Sequence, residues 1–412
     1  MKINFDVVII GAGPSGATAG ARLLQDDLSV LIIEKTTFPR FVIGESLLPQ
    51  CMDVLDAVDL LDCVEKEHFQ IKNGVSFYHH DHTCDFLFSE NYSNGWDYTY
   101  QVKRADFDHA LIKEVEKKGA VVTFNSEVTD VKTSKNEQVV LYSDSEGQTH
   151  EIRCKFVIDA SGYGRVLPRL FDLNVPATSI PRGAIFAHLY DDKRTEKAGA
   201  NIFVNAYNDN KAWIWSIPFS DGTASVGIVG EEDYIASISE DNGAKFKELV
   251  HSFPGLDDRY SESAYIFEPK TILGYSIAVK QLHGEGYVLC GNSTEFLDPV
   301  FSSGVMFALK SGYLASDLVA KQLAGATVDW ENEYDEVLLH GVEVFRSYVE
   351  GWYNGNLHTI FFVENGNEDF KKQICSVLAG YVWDKSNPFV KKHKTLLSTL
   401  AKVIRLSEEQ HS

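Results

Sequence analysis

Apolar and polar positions change period several times along the chain, and each change predicts a different kind of element. Phe5-Asp6-Val7-Val8-Ile9-Ile10 is a short apolar run. Gly11-Ala12-Gly13-Pro14-Ser15-Gly16 follows directly and opens a small-residue helical pattern near Ser15. A second apolar run, Ser29-Val30-Leu31-Ile32-Ile33, ends in Glu34. The order is strand, tight turn, helix and second strand. Between about 73 and 100, and from about 180 to 230, the pattern becomes alternation over short runs such as 184–190 and 223–229, which predicts an antiparallel sheet. Between these stretches the first style returns, with a helix near 105–118, a strand at Val121-Val122-Thr123-Phe124, and Lys155-Phe156-Val157-Ile158-Asp159-Ala160 running into Ser161-Gly162. From about 330 onward helical patterns dominate, including 334–349 and 395–406.

The pattern predicts three units: a discontinuous Rossmann-type α/β domain over 1–72, 101–175 and 270–325, an antiparallel-sheet substrate domain over 73–100 and 176–269, and a helical C-terminal unit over 326–412. No internal repeat, low-complexity tract or Pro/Gly/Ser linker separates them, so tight packing is expected. A length of 412 residues suits two or three such units, and 44% hydrophobic with 24% charged residues excludes a disordered, collagen-like or coiled-coil chain.

Charge removes one class of partner. With 38 Lys and Arg against 59 Asp and Glu, the formal net charge is -21, and most of such a surface repels a phosphate backbone, so no nucleic-acid partner is expected. Six cysteines at 51, 63, 84, 154, 290 and 375 form no CxxC pair, which suggests neither a zinc knuckle nor a disulfide framework and fits a reducing, cytoplasmic setting. No signal-peptide layout is present, and no apolar run approaches the roughly 18 residues that a membrane span needs.

The strongest chemical signal is GxGxxG in its strand–turn–helix setting. Gly11 allows the tight turn, Gly13 lets the backbone approach a pyrophosphate, and Gly16 permits close helix-to-strand packing. The helix N-terminus offers free N–H groups and a favourable dipole to phosphate, and Glu34, about twenty residues on, is placed to accept from a ribose hydroxyl. Only one such fingerprint is present, so a nicotinamide hydride donor binds elsewhere or acts through another protein.

Four further segments narrow the reading: Phe38-Pro39-Arg40 with Gly44-Glu45-Ser46-Leu47-Leu48-Pro49, Phe69-Gln70-Ile71-Lys72-Asn73-Gly74, Trp213-Ile214-Trp215-Ser216-Ile217-Pro218, and Asp298-Pro299-Val300-Phe301-Ser302-Ser303-Gly304-Val305. Together they resemble the flavin-dependent halogenases of the phenol and pyrrole type, within the superfamily of FAD-dependent monooxygenases and geranylgeranyl-reductase-like enzymes. The resemblance runs from the first strand into the tail, where Gly351-Trp352-Tyr353 and Ala379-Gly380-Tyr381-Val382-Trp383 share it. It implies a glutathione-reductase-like FAD-binding domain. GxGxxG and Arg104 with Phe107-Asp108 are shared by many FAD enzymes and imply FAD alone, whereas WxWxIP and the positioned lysine are narrower.

The resemblance implies FAD contacts from Gly11, Gly13, Pro14, Ser15, Gly16, Glu34, Lys35, Arg40, Glu45, Ser46, Arg104, Val128, Asp159, Gly162, Asn292, Pro299, Gly304 and Val305. It also implies that a separate reductase supplies reduced FAD, that chloride or bromide is a cosubstrate, and that the hypohalous acid formed at the flavin travels to Lys72. That chemistry needs an amine whose charge is costly, and desolvation favours the neutral nucleophilic form. On local sequence alone Lys72 reads as a solvated loop lysine, and only its register with the other motifs favours the catalytic reading. WIWSIP reads as one buried strand with Trp213, Trp215 and Ile217 on one face; these are either core or, with Phe301, the partition between flavin and substrate pocket. Ser303 and Gly304 stand at a helix N-terminus suited to a halide or to a reduced flavin's negative charge.

Two residues depart from the family pattern. Tryptophan halogenases have a glutamate where this chain has Phe301, which points toward an electron-rich aromatic small molecule, such as a phenol. Asn292 stands where the superfamily usually has a ribityl-binding aspartate; its amide still donates and accepts hydrogen bonds.

His79, His80, His82 and Cys84 look metal-like in composition but lie in an alternating hairpin with Asp81 at its turn, and no metal is expected. Lys391, Lys392, His393 and Lys394, followed by Leu396, Leu397 and Leu400, form a basic amphipathic segment. It reads as a solvated helix face or as a dock for an acidic acyl or peptidyl carrier protein. Two other functions share these motifs: an FAD monooxygenase or geranylgeranyl-reductase-like reductase, and a non-catalytic flavin-binding subunit.

Overall fold

The computed structural model describes residues 4–79, 82–176, 180–194, 201–274, 277–295, 297–364 and 366–410. The two opening apolar runs become Phe5–Ile10 and Val30–Ile33 in a sheet ordered His283–Gly284, Tyr287–Leu289, Thr149–Asp159, Phe5–Ile10, Val30–Ile33, Val121–Thr123. From Tyr287–Leu289 to Val121–Thr123 every neighbouring pair is parallel. Parallel strands are covered on both faces, so Val7, Val8 and Ile9 are fully buried and read as an unbroken apolar run rather than an alternation. Ile10 is in register with Ile33 and Asp159, and Asp159 with Leu289. Four strands therefore end at one level, and ligands of open α/β sheets bind at such carboxyl ends. A flap that the pattern did not reveal, Glu127–Lys132 with Gln138–Ser143, pairs antiparallel with the start of Thr149–Asp159.

Helix Pro14–Leu24 begins with Pro14 in its first turn. Its small residues are dictated by space: it lies against helix Ser303–Leu323, where a Cβ on Gly312 would come 2.4 Å from the Ser15 carbonyl oxygen.

The second sheet is ordered Lys270–Leu273, Arg182–Tyr190, Thr223–Glu231, Ala212–Pro218, Ile202–Tyr207, Gly74–His79, His82–Leu87. Its pairs are antiparallel except Ile202–Tyr207 with Gly74–His79. Lys270–Leu273 pairs with Arg182–Tyr190, so the expected return to the first domain at 270 comes after this strand; a four-residue run does not say which sheet it will join. The connections between the domains run side by side as the pair Asn174–Pro176 and Ile277–Val279. Ile214 and Ile228 pack beneath helices Glu232–Ile238 and Glu240–Ser252, whereas Trp213, Trp215 and Ile217 join the main core on the opposite face.

Helices Glu336–Tyr353, Asn356–Phe361, Glu368–Leu378 and His393–Glu409 form most of the tail. Tyr348, Trp352, Val382 and Phe389 share one core with Leu47 and Met52, so the tail closes the first domain rather than forming a core of its own. His79 and His82 face each other across the expected hairpin; His80 and Asp81 lie outside the described residues. Among the described residues no helix is long and apolar enough to cross a membrane.

Candidate active site

The strand ends open onto a cavity of about 470 Å³ that runs from Glu34 and Lys35 to Trp213, Trp215 and Ile217. Gly11 turns the chain at φ +100°, and a Cβ there would lie 2.5 Å from the Ala160 carbonyl oxygen. At Gly16 a Cβ would lie 2.0 Å from the Gly11 carbonyl oxygen, whereas at Gly13 it would meet only the Arg40 guanidinium, at 3.4 Å. Two glycines thus make the turn, and the third leaves backbone open to the cavity. Glu34 is held by donors from both sides: its Oε2 accepts from the Ala12 N–H at 2.9 Å, and its Oε1 from the Thr36 N–H and hydroxyl at 2.9 and 2.6 Å. Its carboxylate is fixed at the cavity edge, where carboxylate lone pairs remain for a ribose.

Arg104 and Arg40 supply the cationic wall. The Arg104 guanidinium grips Asp108 through Nε and Nη2, at 2.7 and 3.0 Å, and Arg40 Nη1 reaches the same carboxylate at 3.0 Å. Two cations on one buried anion leave a net positive charge facing the cavity, suited to a pyrophosphate. At the other end Trp213, Trp215, Ile217, Ala184 and Ile202 give an apolar wall for a flat ring system. This combination fits FAD: a glycine cradle, a ribose acceptor, surplus positive charge and a flat apolar end. One observation points to an absent partner. Glu45 is 2% exposed and lines the cavity, yet among the described residues its Oε2 is buried without a hydrogen bond, which costs roughly 1–3 kcal/mol when nothing fills the place.

Lys72 stands beside the cavity, behind Ser46. Strand Gln70–Lys72 pairs with Thr99–Gln101, whose other side carries Ser46 and Leu47. Polarity is inverted here, with Ile71 46% exposed and Lys72 1% exposed. The Lys72 ammonium donates to the Ser46 hydroxyl and the Leu47 carbonyl, both at 2.9 Å, and lies 5.4 Å from the Phe88 ring centroid. Burial, opposed only by the neighbouring Cys51 thiol, lowers its pKa to about 7. An amine so held is substantially neutral and nucleophilic at neutral pH. Ser46 itself lines the flavin cavity, so one side chain separates cavity from lysine.

Most other expected site residues gather here: Pro14, Ser15, Val128, Gly162, Asn292, Pro299, Gly304 and Val305 all line the cavity. Lys35 also lines it and pairs with Glu127 at 2.7 Å. Four fall elsewhere, the first being Gly16, which packs against the Gly11 carbonyl and does not line the cavity. Asp159 is buried below the strand end, where its carboxylate accepts from the Ser161 and Leu167 N–H groups, so it shapes the loop and does not line the cavity. Ser303 lines a narrow adjoining cleft with Asn292 and Gly304, because the left-handed turn at Ser302, φ +57°, swings it away. Phe301 packs edge-on against Tyr348 and Trp352, beyond the cavity.

Sequence reading missed two polar networks. Glu45 Oε1 meets His188 Nε2 at 2.8 Å. Trp213 Nε1 donates to the Tyr353 hydroxyl at 3.1 Å, and that hydroxyl donates to Asp298 Oδ2 at 2.7 Å. Arg182 completes the second network, 3.5 Å over the Tyr353 ring and 3.8 Å from Asp298. Each joins residues more than fifty positions apart, and no local spacing marks them.

Residues 4–230 match the family model described as FAD binding domain. The 1H-pyrrole-2-carbonyl-peptidyl-carrier-protein chlorinase of Pseudomonas fluorescens is 27% identical, over 92% of this chain and 90% of its own length. Among solved structures, a flavoprotein/dehydrogenase from Cytophaga hutchinsonii superposes with a TM-score of 0.95 at 45% identity, covering 98% of this chain and 99% of its own. The flavin-dependent brominase Bmp2 superposes with a TM-score of 0.82 at 26% identity, covering 99% and 98%.

Proposed function

This chain belongs to the FAD-binding domain family, and from that premise we propose that this FAD-dependent oxidoreductase is a halogenase. It takes reduced FAD from a separate reductase, O2, and chloride or bromide, and acts on an electron-rich aromatic ring. Reduced FAD, when bound, would give two electrons to O2 and leave it able to take two more from the halide. Glu34, the glycine turn, Arg40 and Arg104 hold the nucleotide half, and Trp213, Trp215 and Ile217 keep the aromatic substrate away from the flavin ring. Gly304, which lines the cavity, offers its N–H group to the halide. Lys72 holds the oxidised halogen and presents it to the ring.

The observation that carries this reading is Lys72: a fully buried lysine with two neutral oxygen partners, a pKa lowered to about 7, and Ser46 between it and the cavity. Phe301, apolar where tryptophan halogenases carry a glutamate, favours a phenol or pyrrole that supplies its own activation. The test mixes reduced, FAD-loaded protein with oxygenated buffer with and without halide, and traps oxidised halogen on an electrophile scavenger. A scavenger adduct only with halide supports the reading; no adduct with either halide overturns it.

A second reading, a reductase or dehydrogenase on the same scaffold, is favoured by the 45% identical structure described as a flavoprotein/dehydrogenase. Lys72→Ala separates the two: a halogenase loses product while still oxidising reduced flavin, whereas a reductase keeps its turnover.

The Pseudomonas relative acts on a carrier-bound pyrrole. Lys391 and Lys392 are exposed just before helix His393–Glu409, a basic spot in an acidic chain that suits an acidic carrier, while Lys394 is pinned by Glu343 at 2.7 Å. Reversing the charges of Lys391 and Lys392 weakens carrier binding if this face docks it; unchanged affinity removes the idea.

A further inference from the structure

Glu45 and His188 come from different domains and meet at the flavin cavity. Glu45 lies in the extended segment beside Thr99–Gln101, fixed by the Val102 N–H donating to its carbonyl at 2.7 Å. His188 lies on strand Arg182–Tyr190 of the second sheet. Glu45 Oε1 and His188 Nε2 are 2.8 Å apart, and the residues are 2% and 6% exposed. Among the described residues Glu45 Oε2 is buried without a protein partner, in a residue that lines the cavity. The pair therefore has one oxygen bonded to a histidine and, among the described residues, one oxygen without a partner, in a side chain that borders the flavin cavity.

The proposed reaction needs a proton there. Reduced flavin, O2, halide, a ring C–H and one proton give oxidised flavin, a carbon–halogen bond and two waters. O2 accepts four electrons, two from the flavin and two from the halide as it passes to carbon, and both oxygen atoms leave as water. One proton per turnover must come from outside these reactants. Lys72 does not line the cavity and is engaged by Ser46 and Leu47, whereas Glu45 Oε2 is free.

We propose that Glu45 is the catalytic acid that delivers this proton from Oε2 into the flavin cavity, and that His188 positions it and refills it through Oε1. The O–H bond of the carboxyl breaks as its proton passes to an oxygen atom of O2, which leaves as water. The carboxylate left behind keeps its bond to His188, which passes on the next proton. The rings of Phe41, Phe219 and Phe267 surround His188 at 5.5, 5.2 and 5.0 Å, and Phe41 is 38% exposed, so the histidine is one side chain from solvent. The titratable and charged groups facing the pair are Arg104, which reaches the Gly44 carbonyl and is paired with Asp108, the largely neutral Lys72 through Ser46, Lys270 over Phe41 and Phe267, and Lys103 over Phe219, itself paired with Asp221.

The stoichiometry rests on the halogenase reading, but the test does not. Infrared difference spectra of reduced minus oxidised FAD-loaded protein, recorded without halide, are expected to contain a carboxylic-acid C=O stretch that disappears in Glu45→Gln and shifts in His188→Asn. Identical spectra in wild type and Glu45→Gln overturn the proposal. After mixing reduced protein with O2, Glu45→Ala should regain oxidised FAD absorbance at least tenfold more slowly than wild type, with formate restoring the rate; an unchanged rate, or no rescue in protein that still quenches FAD fluorescence, overturns it. If Glu45 variants fail to load FAD, His188→Asn, which keeps Glu45, decides by the band shift alone. Failure of the halogenase reading shows separately, as no scavenger adduct beside an intact infrared band.

Discussion

Lys72 ties pH to stability as well as to chemistry. Its pKa is about 7 in the fold against 10.5 for an ordinary lysine, because burial disfavours the charge. Between those values the unfolded chain binds the extra proton, so through this residue stability rises as pH increases from about 7 toward 10.5. Chemical denaturation of wild type and Lys72→Met at pH 7 and pH 9.5 should show a rise in wild type that the variant lacks. Gly16 gives a steric prediction. Gly16→Ala forces a Cβ to within 2.0 Å of the Gly11 carbonyl, so FAD titration should show lost loading and thermal unfolding a loss of roughly 1–3 kcal/mol from overpacking. Residue types and spacing revealed the glycines, Glu34 and the tryptophan face in the sequence, because each role is local. The burial of Lys72 was not legible: its neighbour Ile71 points outward, so hydropathy suggested the reverse of what folding does.

At the scale of elements, the site depends on two helices being held close. Gly312 of helix Ser303–Leu323 abuts the Ser15 carbonyl of helix Pro14–Leu24, and both helix starts contribute cavity residues, Pro14 and Ser15 from one and Gly304 and Val305 from the other. Gly312→Ala should push these starts apart and weaken FAD affinity several-fold in a fluorescence titration, with a lower unfolding midpoint. Period and turn residues made these elements legible, including the helix that begins with the Ser303–Gly304 turn. The flap Glu127–Lys132 with Gln138–Ser143 was not legible, because short half-exposed strands carry little apolar signal, and the boundary expected at 270 left Lys270–Leu273 outside the sheet it joins, because pairing partners leave no local trace.

Across the whole molecule, Tyr353 links the helical tail to the flavin wall. Its hydroxyl sits between Trp213 Nε1 and Asp298 Oδ2, and burial raises the pKa of Asp298, so this carboxyl depends on the hydroxyl it accepts from. Tyr353→Phe leaves two buried polar atoms without that partner, which should cost roughly 1–3 kcal/mol in denaturant unfolding. It should also free Trp213, so that more reduced flavin is spent on hydrogen peroxide, measured as the ratio of peroxide released to substrate consumed. An unchanged ratio would show that the tail merely packs.

The sequence by itself determined the FAD-type α/β domain, the sheet that covers it, the helical tail and the glycine turn, because these follow from period, turn chemistry and space within a few neighbouring residues. Only the tertiary structure decided which polar groups meet. Glu45 and His188, Trp213 with Tyr353 and Asp298, and the dry setting of Lys72 each require segments far apart in the chain to be brought within hydrogen-bonding distance and sealed from water. Short-range contact and desolvation are what give these groups their chemistry, and neither exists until the domains have closed on one another.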